Sequence, residues 1–450
     1  MMKNKEDYFL TENSSISLNI VRTIASQMVI IGHGISFMGI LLFLQYPNFP
    51  WLQNIAVIIF FLLSGFLISF TSYKKKSTDY KFTNFFIDRF SRIFIFYIPA
   101  LFFIILFNYI TIQILHDITY ENNYNLNTFI NNIFMLQDTY PITINIFGLR
   151  IFGLTSFGDA RPLWTINVVW WIYMVFGWCL LGRKNHCKIV WILGLIGFIS
   201  LLLLVTTGAR SNIKFLLLLS FLLGFFIMLI VNLKNKNLDS SFFDCILIIL
   251  LIICLFLFLF PSITSVFQFC MFGAIILCIG LLFFLNKRKQ DKNFRVSNWL
   301  NKIITYIELK VLAFKNFLVK HPILLLLSTV CSFIIGFFYV YLTKEAYDPF
   351  FIIILALSFG LLLLLTNNSN LNFKYPKFIK KIAEFGSQYS FLLYLLHYSI
   401  FSIFVNFLGQ FSPYLLFFIA YALSNIISIV LTYYIEKRYK AFRNSLQFRH

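Results

Sequence analysis

Arg22 and His33 are the residues whose type and spacing most directly suggest chemistry. They lie 11 positions apart in the first long apolar segment. On a helix they would differ by about 20° in direction and lie about 16.5 Å apart along the axis, so one polar face would carry both. Ionisable side chains inside a membrane are costly and are functional candidates by default. The alternative is that Arg22 extends to the lipid headgroups and His33 only bonds a neighbouring helix.

Three later segments hold further candidates. Arg89 and Arg92 lie three positions apart near the start of another apolar segment, where anchoring by positive charge is the alternative role. Ser64 offers a hydroxyl beside Gly65, although a small residue at a helix contact explains this pair almost as well. His397 lies in the middle of an apolar segment. There it could line one cavity together with Arg22 and His33, or form a hydrogen bond in the core. A neutral imidazole can accept a proton or take a transferred group.

The elements that position these residues must be membrane helices. The 450 residues are 60% hydrophobic and only 12% charged, whereas soluble chains are nearer half apolar and a quarter charged. The pattern predicts an all-α polytopic integral membrane helical bundle of about 10–12 transmembrane helices, in a single domain covering 1–450. The twelve apolar runs lie near 17–43, 51–72, 93–115, 162–181, 189–206, 213–232, 242–260, 264–285, 322–342, 350–366, 389–408 and 413–435.

The formal net charge of +20 indicates membrane topology and not nucleic-acid binding. With the N-terminus inside, 31 of the 37 lysines and arginines fall on the inner side of the predicted spans. Inner loops of membrane proteins carry such an excess. The asymmetry predicts cytoplasmic N- and C-termini in a multi-pass plasma membrane protein, whose first partner is the lipid bilayer.

Two loops are long enough to have structure of their own. Residues 116–161 form a predicted extracytoplasmic loop, either a solvated connector or a cover over a substrate opening. Residues 286–321 form a basic cytoplasmic loop. Within it, the apolar spacing over 296–320 predicts a helix lying on the anionic inner leaflet, with partner binding as the alternative.

Six blocks of the sequence, taken in order, resemble the membrane-bound acyltransferase-3 family. The first is SLNIVRTIASQMVIIGHG, which contains the Arg22 and His33 pair. The later blocks are FFLLSGFLI, FFIDRFSRIFIFYIPAL, RPLWTINVVWWIYMVFG, GSQYSFLLYLLHYSI and IEKRYKAF. Each alone is a weak hydrophobic pattern, but five or six in the right order and spacing are fairly specific.

The resemblance implies a function. Members of this family mostly O-acetylate sugars, so we expect an acyl group to pass from cytoplasmic acetyl-CoA or another acyl-CoA to a carbohydrate or lipid-linked glycan of the cell envelope. The resemblance implies that His33 is the catalytic residue and Arg22 its partner. Arg89 and Arg92, with Ser64, would then bind coenzyme A through its phosphates.

One block departs from the family pattern. Many members carry a Glu five residues after the Trp of the block that here begins RPLW, whereas Val169 follows Trp164 at that distance in this chain. Asn167, Asp159 and Tyr173 are the candidate replacements for the missing carboxylate. Trp164, Asn167, Tyr173 and His397 are the weaker candidates for substrate binding.

Two other functions stay open at this point. A twelve-helix solute transporter or flippase would use Arg22, His33 and His397 as a pathway, although we find no internal repeat of the kind such folds show. Val169 favours the second alternative, an inactive envelope-assembly protein descended from enzymes of this family. No metal site is indicated, and neither is a nucleotide cofactor, because the sequence has no His/Cys cluster, P-loop or dinucleotide fingerprint.

Overall fold

A computed structural model shows a bundle of long helices, which confirms the predicted all-α membrane architecture. It describes residues 10–76, 80–138, 144–146, 149–151, 155–182, 192, 194–197, 199–201, 210–232, 298–368, 371 and 373–446. Within these ranges, nine helices are long and apolar enough to cross a membrane. They coincide with nine of the twelve predicted spans. The span predicted near 189–206 is described only in part, and those near 242–260 and 264–285 lie outside the described residues.

The helices are numbered here in chain order. They are α1 Glu12–Met38, α2 Leu52–Lys76, α3 Phe82–Tyr109, α4 Leu126–Ile133, α5 Leu163–Leu181, α6 Ser211–Asn232, α7 Asn298–Lys320, α8 Pro322–Thr343, α9 Pro349–Thr366, α10 Lys377–Val405 and α11 Pro413–Leu446. A π-helical turn, Ile110–Ile114, continues α3, and short 3-10 turns lie at Leu42–Leu44 and Glu121–Asn123. The antiparallel strands β1 Ile144–Ile146 and β2 Leu149–Ile151 pair within the 116–161 loop.

Helix α1 contacts several other helices of the bundle. It packs against α10 and α2 and also contacts α11 and α9. The Thr11 side chain caps its first turn by accepting from the Ser14 amide at 3.2 Å, which satisfies one of the unpaired N–H groups at a helix start. Its last turn ends at Gly39, whose φ of 62° is readily adopted only by glycine. Because α1 carries both Arg22 and His33, its neighbours determine the surroundings of both residues.

The two predicted loops contain regular structure. The described part of 116–161 includes α4 and the β hairpin, so it is more than an irregular connector. The helix predicted over 296–320 is present as α7. Near its end Leu318 is only 4% exposed while Phe314 is 62% exposed, so this last turn rests on the bundle with part of its apolar surface uncovered. Its contact with the inner leaflet stays a prediction.

Helices α2 and α6 cross at two glycines. A Cβ added at Gly65 would lie 1.9 Å from the backbone oxygen of Phe221, and one added at Gly224 would lie 2.1 Å from that of Leu62. Backbone atoms cannot yield as a flexible side chain can. Small residues permit this close approach between membrane helices. Gly65 therefore lies at a helix contact, which was one of the two explanations for the Ser64–Gly65 pair.

We expect Gly65→Ala to push α2 away from α6 and to destabilise the folded protein by about 1–3 kcal/mol, as overpacking does. The apparent melting temperature of the detergent-solubilised protein measures this effect. Gly360→Ala is the matched control, because a Cβ there would make ordinary contacts at 3.5 Å or more with Ile227. Equal melting temperatures for the two variants would contradict the close-packing explanation.

Candidate active site

His33 lies beside two aromatic side chains of α10. Its ring centroid is 5.3 Å from that of His397, at an interplanar angle of 34°. It is 5.1 Å from the Tyr398 ring, which it meets edge to face. His33 is partly exposed, whereas His397 is completely buried. The structure thus brings together two sequence candidates, His33 and His397, at what we call the His33 end of the bundle.

The neighbours of His397 hold its ring in place. Its Nδ1 lies 3.0 Å from the Leu393 carbonyl oxygen one helical turn earlier. One turn before His397, the Tyr394 hydroxyl lies within hydrogen-bonding distance of the Thr165 hydroxyl and donates to the Pro162 carbonyl at 3.2 Å. These bonds join α10 to the first turn of α5. The family block of α5 therefore helps to position the second histidine.

Asp159, one of the candidate replacement carboxylates, joins the loop to the bundle at this end. It is fully buried, and its Oδ1 accepts hydrogen bonds from Asn108 at 2.9 Å and from the Ser399 hydroxyl. Its amide donates to the Asn108 side-chain oxygen at 3.0 Å. Burial raises the pKa of this carboxyl, since the charged form is poorly solvated there, while the Ser399 bond opposes the rise.

We expect the burial of Asp159 to appear in the pH dependence of stability. A carboxyl whose folded-state pKa is raised stabilises the fold most below its unfolded pKa of about 3.9, and this contribution is lost as the pH rises through the folded value. The melting temperature of the native protein, relative to Asp159→Asn, should therefore fall as the pH rises from about 4. A difference in melting temperature between the two proteins that stayed constant from about pH 4 to about pH 8 would contradict this prediction.

Polar side chains from the loop lie near Tyr398. The Tyr120 side chain lies close to that of Tyr398. The exposed guanidinium of Arg161 lies 5.8 Å from the centre of the Tyr120 ring, in a cation–π arrangement. The loop therefore supplies an exposed, polar edge beside the histidine pair. A role of the loop as a cover over a substrate opening stays a prediction.

A second group of sequence candidates, here the Arg22 end, lies about 16.5 Å from His33 along α1 and is built from α1, α2, α3 and α5. The Tyr173 hydroxyl lies close to the Ser64 side chain, and the charges of Arg22 and Arg89 act on it. Arg22 is also within electrostatic reach of Arg92. Among the described residues, no carboxylate forms an ion pair with Arg22 or Arg89, and the buried Arg89 Nε has no hydrogen-bond partner. Such a cluster favours an anion.

Arg92 differs from the other two arginines because it faces α11. Its guanidinium lies 3.7 Å from the Glu436 carboxylate and 5.6 Å from the centre of the Tyr439 ring. Its charge is therefore partly balanced within the chain. Arg22 and Arg89 are better placed than Arg92 to bind a ligand anion.

Asp88, next to Arg89, holds three helical segments together without contacting this arginine cluster. Its carboxylate accepts from Lys75 at 2.7 Å, from the Tyr80 hydroxyl at 2.8 Å and from Arg443 at 2.7 Å. Asp88 is 5% exposed, so these three donors replace the water that a buried charge loses. The bonds to Asp88 hold the ends of α2 and α11 against α3, and so they help to position the neighbouring Arg89.

The remaining sequence candidates have partners other than His33. Trp164 lies under Arg210, whose guanidinium is 5.3 Å from its ring. Asn167 is fully buried and donates to the Gln137 backbone oxygen. Asp159, as described above, bonds Asn108 and Ser399, and Tyr173 belongs to the Arg22 end. In the part of the chain that the structure describes, no contact brings any of these four side chains to His33.

Comparison with known proteins identifies the family. Residues 15–309 match the family model of the acyltransferase-3 domain, which is described as an acyltransferase domain. The chain belongs to this family. The matched part of this acyltransferase includes Arg22, His33, Ser64, Arg89 and the α5 block, and it ends before His397. No curated protein and no solved structure gives a significant match.

Sequence reasoning missed several residues that position the candidate site. Asn108, Ser399 and Thr165 are short polar side chains in apolar helices, and a polar residue inside a predicted span was the available signal. The sequence identified Arg443 only as one of the 31 cations on the inner side of the predicted spans. Its bond to Asp88 joins residues far apart in the sequence, and charge counting carries no information on such a pairing.

Proposed function

We propose that this acyltransferase is an integral membrane O-acyltransferase. The donor is an acyl-coenzyme A, most simply acetyl-CoA, on the cytoplasmic side of the plasma membrane. The acceptor is a hydroxyl of a cell-envelope or lipid-linked sugar. The observation that carries the proposal is that α1 carries two groups about 16.5 Å apart along its axis, an arginine cluster around Arg22 and Arg89 and the imidazole pair of His33 and His397.

The chemistry of each end suits one part of the donor. Guanidinium groups bind phosphates through charge-assisted hydrogen bonds, and the Arg22 end has two arginines that no described carboxylate neutralises. The thioester lies at the end of the long, flexible arm of coenzyme A. Arg22 and His33 lie about 16.5 Å apart along α1, so phosphates at one end leave the arm to carry the thioester to the other.

At the His33 end the protein supplies an imidazole for acyl transfer. His33 takes either the acyl group or the proton of the acceptor hydroxyl. The loop residues Tyr120 and Arg161 at the exposed edge offer the hydrogen bonds and the aromatic surface that sugars bind. Val169 leaves the position of the family carboxylate apolar, so the reaction here relies on the histidines.

The experiment that tests this function compares cells with and without the gene. Loss of acetyl signals in the proton NMR spectrum of purified surface glycans, restored by the intact gene, is the expected result. Membrane vesicles from the same cells, supplied with acetyl-CoA labelled in its acetyl group, should transfer label to a glycan fraction. Unchanged acetyl signals together with unlabelled glycan would overturn the proposed donor and acceptor.

A further inference from the structure

His397 has a hydrogen-bonding pattern that determines which of its nitrogens carries the proton. The Leu393 carbonyl oxygen, 3.0 Å from Nδ1, can only accept a hydrogen bond, so Nδ1 is the protonated nitrogen. In a neutral ring, Nε2 then has a free lone pair. His397 is fully buried, and its Nε2 has no hydrogen-bond partner among the described residues.

An unpartnered buried acceptor costs stability, so it needs an explanation. The ring beside it is that of His33, 5.3 Å away between centroids. The two histidines differ in their solvent exposure. His33 is partly exposed, whereas His397 is fully buried and its orientation is fixed by the Leu393 carbonyl.

We propose that the two histidines divide the reaction, with His33 carrying the acyl group and His397 acting as the base toward the acceptor. This inference rests on the acyltransferase function proposed above and adds a second catalytic residue to it. In the first step a His33 nitrogen attacks the thioester carbonyl. A C–N bond forms, the C–S bond breaks, and the leaving thiolate takes the proton released by the His33 ring.

In the second step the acceptor hydroxyl attacks the acyl carbon on His33. A C–O bond forms and the C–N bond breaks. The hydroxyl proton passes to Nε2 of His397 and from there to the His33 ring, so that both imidazoles return to their starting protonation state. The free lone pair at Nε2 is what this step requires.

His397→Asn tests the division of labour. The asparagine amide nitrogen takes the place of Nδ1 and retains a donor for the Leu393 carbonyl, while the base at Nε2 is lost. Vesicles containing the endogenous acceptor receive acetyl-CoA labelled in its acetyl group. We expect His397→Asn to accumulate hydroxylamine-sensitive label on the protein and to transfer label to glycan at least about 100-fold more slowly than the native protein.

The other outcomes are decisive as well. Glycan labelling by His397→Asn at the native rate would overturn the proposal, and so would a variant that takes up no label on the protein. If the second result came with a lowered melting temperature, His397 would have a structural role only. His321→Asn, a replacement of an exposed histidine at the start of α8, is the control and should transfer label normally. Failure of the native protein to label glycan would instead reject the acyltransferase function itself.

Discussion

Replacement of His33 should abolish acyl transfer while leaving the protein folded. We expect His33→Ala to lower the rate of label transfer from acetyl-CoA to glycan by at least about 100-fold, because loss of a positioned acid–base or nucleophilic group has effects of this size. His33 is only partly buried and makes ring contacts to His397 and Tyr398, so its removal leaves no buried charge unpaired. Radiolabel incorporation in membrane vesicles measures the rate.

His33→Gln separates chemistry from packing, because it retains volume and polarity but has no basic nitrogen. Both His33 variants should be inactive and should melt within a few degrees of the native protein. His321→Ala serves as the matched control outside the site. A His33→Ala protein that retained more than about a tenth of the native rate would show that this imidazole is dispensable.

Replacement of Arg22 or Arg89 should weaken binding of the donor more than it slows the chemical step. A charge-assisted hydrogen bond to phosphate contributes about 1.5–3 kcal/mol, so Arg22→Gln and Arg89→Gln should each raise the KM for acetyl-CoA by about 10- to 150-fold. Lysine at either position keeps the charge but loses the paired geometry, so its effect should be intermediate. Initial rates over a range of acetyl-CoA concentrations give the measurement.

A donor without phosphates provides the counter-test. With the acetyl thioester of N-acetylcysteamine, the native protein and the two glutamine variants should have similar rates, since that molecule has no anion to bind. Arg210→Gln is the control among the arginines, because Arg210 lies near Asp138 and Trp164 and away from the Arg22 end. A glutamine variant that lost as much activity with the short thioester as with acetyl-CoA would contradict phosphate binding.

The sequence predicted the helices of this site better than the contacts between them. Hydropathy located the nine described spans because lipid permits few alternatives to an apolar helix. The spacing of Arg22 and His33 predicted one face of α1. It did not predict that His397 of α10 would be the neighbour of His33, since the approach of two distant helices depends on tertiary packing.

The loop shows a second limit. Asp159 was proposed as a replacement for the family carboxylate, and its charge in an otherwise polar loop gave no indication of its burial. In the structure its partners are Asn108 and Ser399, and it holds the loop on the bundle. A single sequence shows that a carboxylate is present, whereas its solvation depends on which surfaces meet.

The placement of Arg22 and His33 on one unbroken helix also makes α1 a molecular ruler. Neither residue can move along the axis without the other, because the hydrogen bonds of eleven residues fix their separation at about 16.5 Å. Substrate selection then depends on arm length as well as on the acyl group. Thioesters whose arm is shorter or longer than that of coenzyme A would place the carbonyl out of register with the imidazole when their phosphates are bound.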